Sequence, residues 1–177
     1  MNFKKLTLSA LFLCLLVQLP LSATNVPFIL RQDFEKTYSE TFNVNGEGSV
    51  RLENRYGEIR VETWERNEVK IDVRIRVTAS DQEDADKTFD RIQIDFTSST
   101  NRASATTSIG KNNNKSKGLI ERIFDGDWSW GGSSNNDYKI YYEVKMPASA
   151  DLETTAKYCD VELPDLSGDT RLTIGYG

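Results

Sequence analysis

The chain has 177 residues, which is enough for one domain with a sizeable core and too few for two ordinary domains. It contains no histidine, and this excludes a Ser-His-Asp triad, a Cys-His pair and an imidazole metal site. The net charge of −5, from 22 basic and 27 acidic side chains, argues against nucleic acid as a partner because phosphate binding needs a basic surface.

Residues 1–23 have the three-part layout of a secretory signal peptide. Lys4 and Lys5 precede an apolar run that ends at Pro20, and Ala23 provides a small residue for cleavage. The run is shorter than the roughly 20 residues that a helix needs to cross a bilayer. We therefore predict export to the periplasm, the cell surface or the medium, with no transmembrane segment after cleavage. The mature chain then holds a single cysteine, Cys159.

Residues 24–177 are predicted to form one mainly β domain. The clearest strand covers residues 69–77, where apolar and polar side chains alternate strictly, as they do when one face is buried and the other lies in water. Another run changes its parity after Gly57, and Pro147 ends the last of these runs. The apolar positions that define the predicted strands are Phe34, Tyr38, Phe42 and Val44; Val50, Leu52 and Tyr56, then Ile59 and Val61; Val69, Ile71, Val73, Ile75 and Val77; Ile92, Ile94 and Phe96; and Tyr138, Ile140, Tyr142, Val144 and Met146.

One short helix interrupts the strands. Ser80 and Glu83 have the spacing of a capping box, in which each side chain bonds a backbone N–H of the first turn. Ala85, Phe89 and Ile92 then form one apolar stripe at helical spacing. The pattern predicts a helix over residues 81–91 that packs against a sheet.

Residues 110–137 are rich in Asn, Gly and Ser and are predicted to form a long mobile loop inside the domain. Trp128 and Trp130 lie in this loop, and they suggest a stacking platform for a sugar or a protein partner. The alternative is that the two tryptophans fold back and seal one end of the β core.

The acidic part of the same loop resembles a calcium-binding loop only in part. Asp125 and Asp127 alternate with other residues as calcium ligands do, but Gly126 does not have the required spacing and Asn136 stands where a closing glutamate is needed. We predict no metal, no cofactor and no catalytic residue in the chain.

Two segments of the chain align as an internal repeat. Residues 49–64 can be laid over residues 150–166, so that a basic residue, a tyrosine, a small residue, an acid and a β-branched residue coincide. A third, shorter copy ends the chain. Stacked repeats of this kind predict a coiled β structure, in which Ile59 and Val161 point into one interior. The glycine at the corner permits a positive φ or a tight bend. The repeat positions are Tyr56, Gly57 and Ile59; Tyr158, Cys159 and Val161; and Leu172, Ile174, Tyr176 and Gly177.

These segments carry a resemblance to a known family. Residues 54–59 (NRYGEI), 141–147 (YYEVKMP) and 157–161 (KYCDV), with the long alternating strand and the helix between them, resemble the bacterial putative-adhesin family of unknown function. The resemblance covers roughly residues 34–177 and implies a right-handed β-helix, or β-solenoid, at the cell envelope. The chain departs from the family pattern at Cys159, which replaces a glycine, and it stops within a repeat.

The expected function is a non-enzymatic interaction at the cell envelope, with an envelope protein or a glycan as partner. The alternatives are an envelope stress-sensing module and a small polysaccharide-active β-helix enzyme. Leu172 and Ile174 would lie on the last rung of the stack with nothing above them. We therefore expect either that the domain is C-terminally incomplete or that this rung is covered by another molecule, for example through self-association.

Overall fold

The computed structural model describes residues 30–110 and 137–176. This part of the chain is mainly β, as predicted. The predicted signal peptide, the tryptophans Trp128 and Trp130, and Gly177 lie outside the described residues, as does nearly all of the predicted loop. The elements are β1 (Gln32–Asn43), β2 (Ser49–Trp64), β3 (Glu68–Ala79), α1 (Gln82–Phe89), β4 (Ile92–Ser99), β5 (Arg102–Ile109), β6 (Asp137–Pro147), β7 (Asp151–Glu162) and β8 (Thr170–Gly175).

The long strand β2 organises the sheet. Along one side it pairs in parallel with β7, and β8 pairs in parallel with the far side of β7. Along its other side, the first half of β2 pairs with β5 and the second half pairs with β6, again in parallel. Two strands that are distant in sequence therefore lie end to end beside one strand.

The remaining strand pairs are antiparallel. β1 pairs with β3, and β3 pairs with β6, while β4 pairs with β5. The described strands thus form one mixed eight-stranded sheet, in which both antiparallel groups lie on the same side of β2. The parallel stacking that the repeat predicts lies at β2, β7 and β8.

The core follows the alternation in the sequence. In β3 every second residue is buried, and the charged residues between them face outward. The helix α1 contributes Ala85 and Phe89 to the same core. Amphipathic strands and one amphipathic helix thus cover a single interior.

The helix begins one residue later than the capping box predicts. Asp81 is the N-cap, because its carboxylate accepts a hydrogen bond from the backbone N–H of Asp84 at 2.9 Å. The Ser80 hydroxyl donates to the Asp84 carboxylate at 2.8 Å. The helix ends at Phe89, so that buried Ile92, predicted to share the helical stripe, belongs to β4.

Candidate interaction surface at the end of the parallel stack

A tyrosine forms a corner in β2, in β7 and directly after β8. The φ angles are 62° at Tyr56, 54° at Tyr158 and 58° at Tyr176, which is the left-handed region that bulky residues avoid. The corner changes the parity of β2, because Leu52 is buried before it and Ile59 is buried after it. The glycine of the corner was expected to permit a positive φ or a tight bend; Gly57 has a φ of 159°, and the left-handed residue is the tyrosine one position earlier.

Gly57 is required for a different reason, which is the close approach of β6. Its φ of 159° is close to extended, but a Cβ at this position would lie 2.0 Å from the carbonyl oxygen of Ile140. Cys159 occupies the corresponding position in β7, opposite Gly57, and β6 pairs with β2 there. The Cys159 side chain is buried, and its Sγ lies 3.3 Å from the backbone oxygen of Lys157. This geometry explains how the second corner accepts a cysteine.

A buried polar network holds the backbone just before the first corner. The Asn54 amide donates to the Ile140 carbonyl at 2.8 Å and accepts from the Arg55 N–H at 2.8 Å. The Thr107 hydroxyl donates to the Asn54 side chain at 3.1 Å and lies 2.9 Å from the Tyr142 hydroxyl. Burial raises the pKa of Tyr142 far above its ordinary value. In the sequence, the burial of Asn54 is indicated only by its position, because it continues the alternation of the apolar residues Val50 and Leu52.

The corner tyrosines stack on one another. The Tyr56 and Tyr158 rings are parallel, with centroids 5.2 Å apart and an angle of 1° between their planes. Tyr158 and Tyr176 continue the stack at 5.0 Å and 11°. At the other end, Tyr138 meets Tyr56 edge to face at 5.6 Å. Aromatic pairs of this kind contribute about 0.5–1.5 kcal/mol each beyond the area they bury.

The pairing of β2 with β7 matches the alignment of the two sequence segments. Val50 lies opposite Leu152, Arg55 opposite Lys157, and Ile59 opposite Val161. Ile59 is fully buried and Val161 is partly buried against the same core.

The parallel stack ends at an open surface. We call β8 together with Tyr176 the terminal rung; in the described part of the chain, β7 is the one strand that pairs with β8. Three of its side chains are exposed although they are large and apolar: Leu172 by 44%, Ile174 by 51% and Tyr176 by 77%. Of the exposed large hydrophobic side chains in the described residues, all but Leu30 belong to the terminal rung or to the adjacent Tyr158. An unpaired strand edge with exposed apolar side chains is a site for association with another chain.

The tyrosine stack predicts a loss of stability at alkaline pH. Burial and the neighbouring Tyr158 raise the pKa of Tyr56, while burial and Tyr56 raise the pKa of Tyr138. The folded-state pKa of each tyrosine exceeds its ordinary value near 10. The protonated tyrosines therefore contribute fully to stability below about pH 10, and this contribution is lost as the pH rises through the folded-state pKa. We expect the free energy of unfolding, measured with urea, to fall as the pH rises above about 10. The fall should be smaller in Tyr138→Phe; an equal fall in both proteins would contradict the role of this tyrosine.

The buried thiol predicts slow chemical labelling. Cys159 is 2% exposed, and burial raises the pKa of its thiol, so that both access and the thiolate fraction are low. In a chain with Cys14→Ser, we expect a thiol reagent to label native protein at least about 100-fold more slowly than urea-unfolded protein. Rapid labelling of the native protein would show that the second corner opens readily.

In ranges 30–110 and 137–176, no three or more His, Cys, Asp or Glu side chains are grouped so that they could hold a metal ion. The helix in these ranges is too short and too polar to span a membrane.

Comparison with solved structures gives distant structural neighbours. No family model and no curated protein matches the chain. A putative cell adhesion protein from Clostridium sporogenes ATCC 15579 superposes with a TM-score of 0.33 at 8% identity, covering 79% of this chain and 59% of that one. A putative adhesin from Parabacteroides merdae ATCC 43184 superposes with a TM-score of 0.29 at 8% identity, covering 71% of this chain and 38% of that one. The chain thus spans less than two thirds of either neighbour.

Proposed function

We propose that the chain is exported and serves, without enzymatic activity, as an interaction domain of the bacterial cell envelope that binds another protein at the terminal rung. The observation that carries this proposal is the open edge of β8, where Leu172, Ile174 and Tyr176 are exposed together. The layout of residues 1–23 supports export.

A polypeptide partner is favoured over a glycan because the backbone groups of a strand edge match those of another strand. The free edge of β8 presents a row of backbone N–H and C=O groups at the spacing of a further strand. Added strands gain affinity from these main-chain hydrogen bonds and specificity from the side chains at alternate positions. The exposed apolar side chains of the terminal rung would be covered in the same step.

We further propose that the parallel strands make a short β-solenoid. The first rung of this solenoid consists of β5 and β6, which lie end to end along β2. The second rung is β2, the third is β7, and the terminal rung is the fourth. The last three rungs then turn at a tyrosine, and the antiparallel strands β1, β3 and β4 cover the opposite end. Solenoids bury a terminal rung with a polar or covering element, and a strand from a bound partner is one such cover.

Site-specific photo-crosslinking tests the proposal in the cells that produce the protein. A benzophenone amino acid replaces Tyr176 in one variant and Ser98 in a control, since Ser98 is exposed on the edge strand β4. We expect a defined protein adduct in the envelope fraction from position 176, no such adduct from position 98, and its loss when Leu172→Lys and Ile174→Lys are added. Equal adducts from both positions, or an adduct that survives the lysine substitutions, would refute binding at the terminal rung.

A further inference from the structure

One column of outward side chains alternates in charge from rung to rung. Arg51 of β2 lies opposite Glu153 of β7, and its guanidinium contacts that carboxylate at 2.6 Å. On the other side of β7, Glu153 lies opposite Arg171 of β8. The column therefore runs basic, acidic, basic, and it ends on an exposed arginine. A further rung would continue the alternation with an acidic residue.

Two columns of inward side chains alternate in size. The column through Leu52, Thr154 and Leu172 runs large, small, large, and it ends on the exposed Leu172. In the next column, Asn54 lies beside the small Ala156, and Ala156 lies beside the large Ile174. Packing favours small residues against large ones at facing positions, so the strand that fits on β8 is one with small residues there.

The tyrosine stack fixes a third position of the added strand. Tyr176 packs on Tyr158 with one ring face, and its exposure leaves the other face open. An aromatic ring on the added strand would extend the stack at the same spacing. Arg171 and Tyr176 are five positions apart, as are Glu153 and Tyr158.

We propose, on the basis of the proposed function, that the terminal rung accepts a parallel strand of the β7 type, which carries an acidic residue five positions before an aromatic residue and small residues at the two inward positions between them. The partner segment has the pattern of Glu153–Tyr158 (ETTAKY). A strand of the β2 type would place a second arginine beside Arg171 and a leucine over Leu172, so its charge and volume fit the terminal rung less well.

Two peptides copied from the chain test this specificity. The probe is a fluorescent peptide of residues 151–162 with Cys159→Ser, and the control is a peptide of residues 49–60, which has the same tyrosine corner with opposite charge and larger side chains. We expect the probe, and not the control, to bind the purified full chain in fluorescence anisotropy. Leu172→Lys with Ile174→Lys in the protein should abolish binding, and Tyr158→Ala in the probe should weaken it up to about tenfold.

A charge exchange isolates the acidic position. Glu153→Lys in the probe should weaken binding by roughly fivefold or more, and Arg171→Glu in the protein should restore it. Equal binding of probe and control, or no rescue by Arg171→Glu, would overturn the proposed strand type. Self-association of the full chain that Leu172→Lys abolishes would identify a second copy as the occupant and would also overturn it.

The two proposals fail separately. A crosslinked envelope partner at position 176 without binding of the probe would leave the proposed function standing and refute the β7-type strand. The probe could instead bind the purified chain with the stated preferences while the cells give no adduct at position 176. This result would refute the proposed function and leave the strand preference of the terminal rung intact.

Discussion

Replacing Gly57 with alanine is expected to cost about 3 kcal/mol or more of unfolding free energy, because the new Cβ meets backbone and not a movable side chain. The nearest atoms are the Ile140 carbonyl oxygen at 2.0 Å and the Ile140 nitrogen at 2.7 Å. Relief requires β6 to move away from β2, which breaks the parallel pairing over the second half of β2. Urea denaturation followed by circular dichroism measures the loss.

Gly175 supplies the matched control. It occupies the terminal rung opposite Lys157, and a Cβ there would have the Lys157 Cγ at 3.4 Å as its nearest neighbour, an ordinary contact. We expect Gly175→Ala to change stability by no more than about 0.5 kcal/mol. Equal effects of the two substitutions would show that the close approach of β6 to Gly57 is not what requires glycine.

Replacing Asn54 with aspartate is expected to cost about 3 kcal/mol at neutral pH. Asn54 is 2% exposed, and its side-chain N–H faces the Ile140 carbonyl. The substitution removes this donor and places a buried carboxylate against a carbonyl oxygen. Because protonation would neutralise the carboxylate, we expect part of the lost stability to return as the pH falls, which urea denaturation at pH 4 and pH 7 would detect.

Tyr142→Phe is the milder test of the same network. It removes the hydroxyl that lies 2.9 Å from Thr107 and keeps the buried ring. The expected loss is about 1 kcal/mol, the ordinary contribution of one hydrogen bond. If Asn54→Asp cost no more than Tyr142→Phe, the Asn54 side chain would not hold the corner.

Strands with large apolar residues were predictable from the sequence, and the strand β5 was not. Its inward residues are small: Ala103 and Ala105 are fully buried, yet they give no hydrophobic alternation. Ala105 lies between Leu52 on β2 and Phe96 on β4, and these larger neighbours fill the space. The size of a core residue thus depends on pairing partners that the local sequence does not contain.

The corner itself was predictable in position and not in conformation. Left-handed backbone is normally assigned to glycine, and the sequence has a glycine beside Tyr56. The cost of the left-handed conformation at tyrosine is about 1–2 kcal/mol, which is comparable to the gain from stacking on the next ring. This balance depends on contacts between rungs, as at Tyr56 and Tyr158, so a single segment does not reveal it.

The place of β2 between strands from later parts of the chain also determines when the protein can fold. In the described residues, β2 pairs with β5, β6 and β7, and each of these follows it along the chain. The contact between Arg51 and Glu153 spans 102 residues, and that between Arg102 and Ser49 spans 53. Contacts this distant slow folding, because loops must close before any pairing is gained. During synthesis, β2 can therefore gain its partners only in steps, and it lacks the neighbour on its β7 side until residues 151–162 have been made.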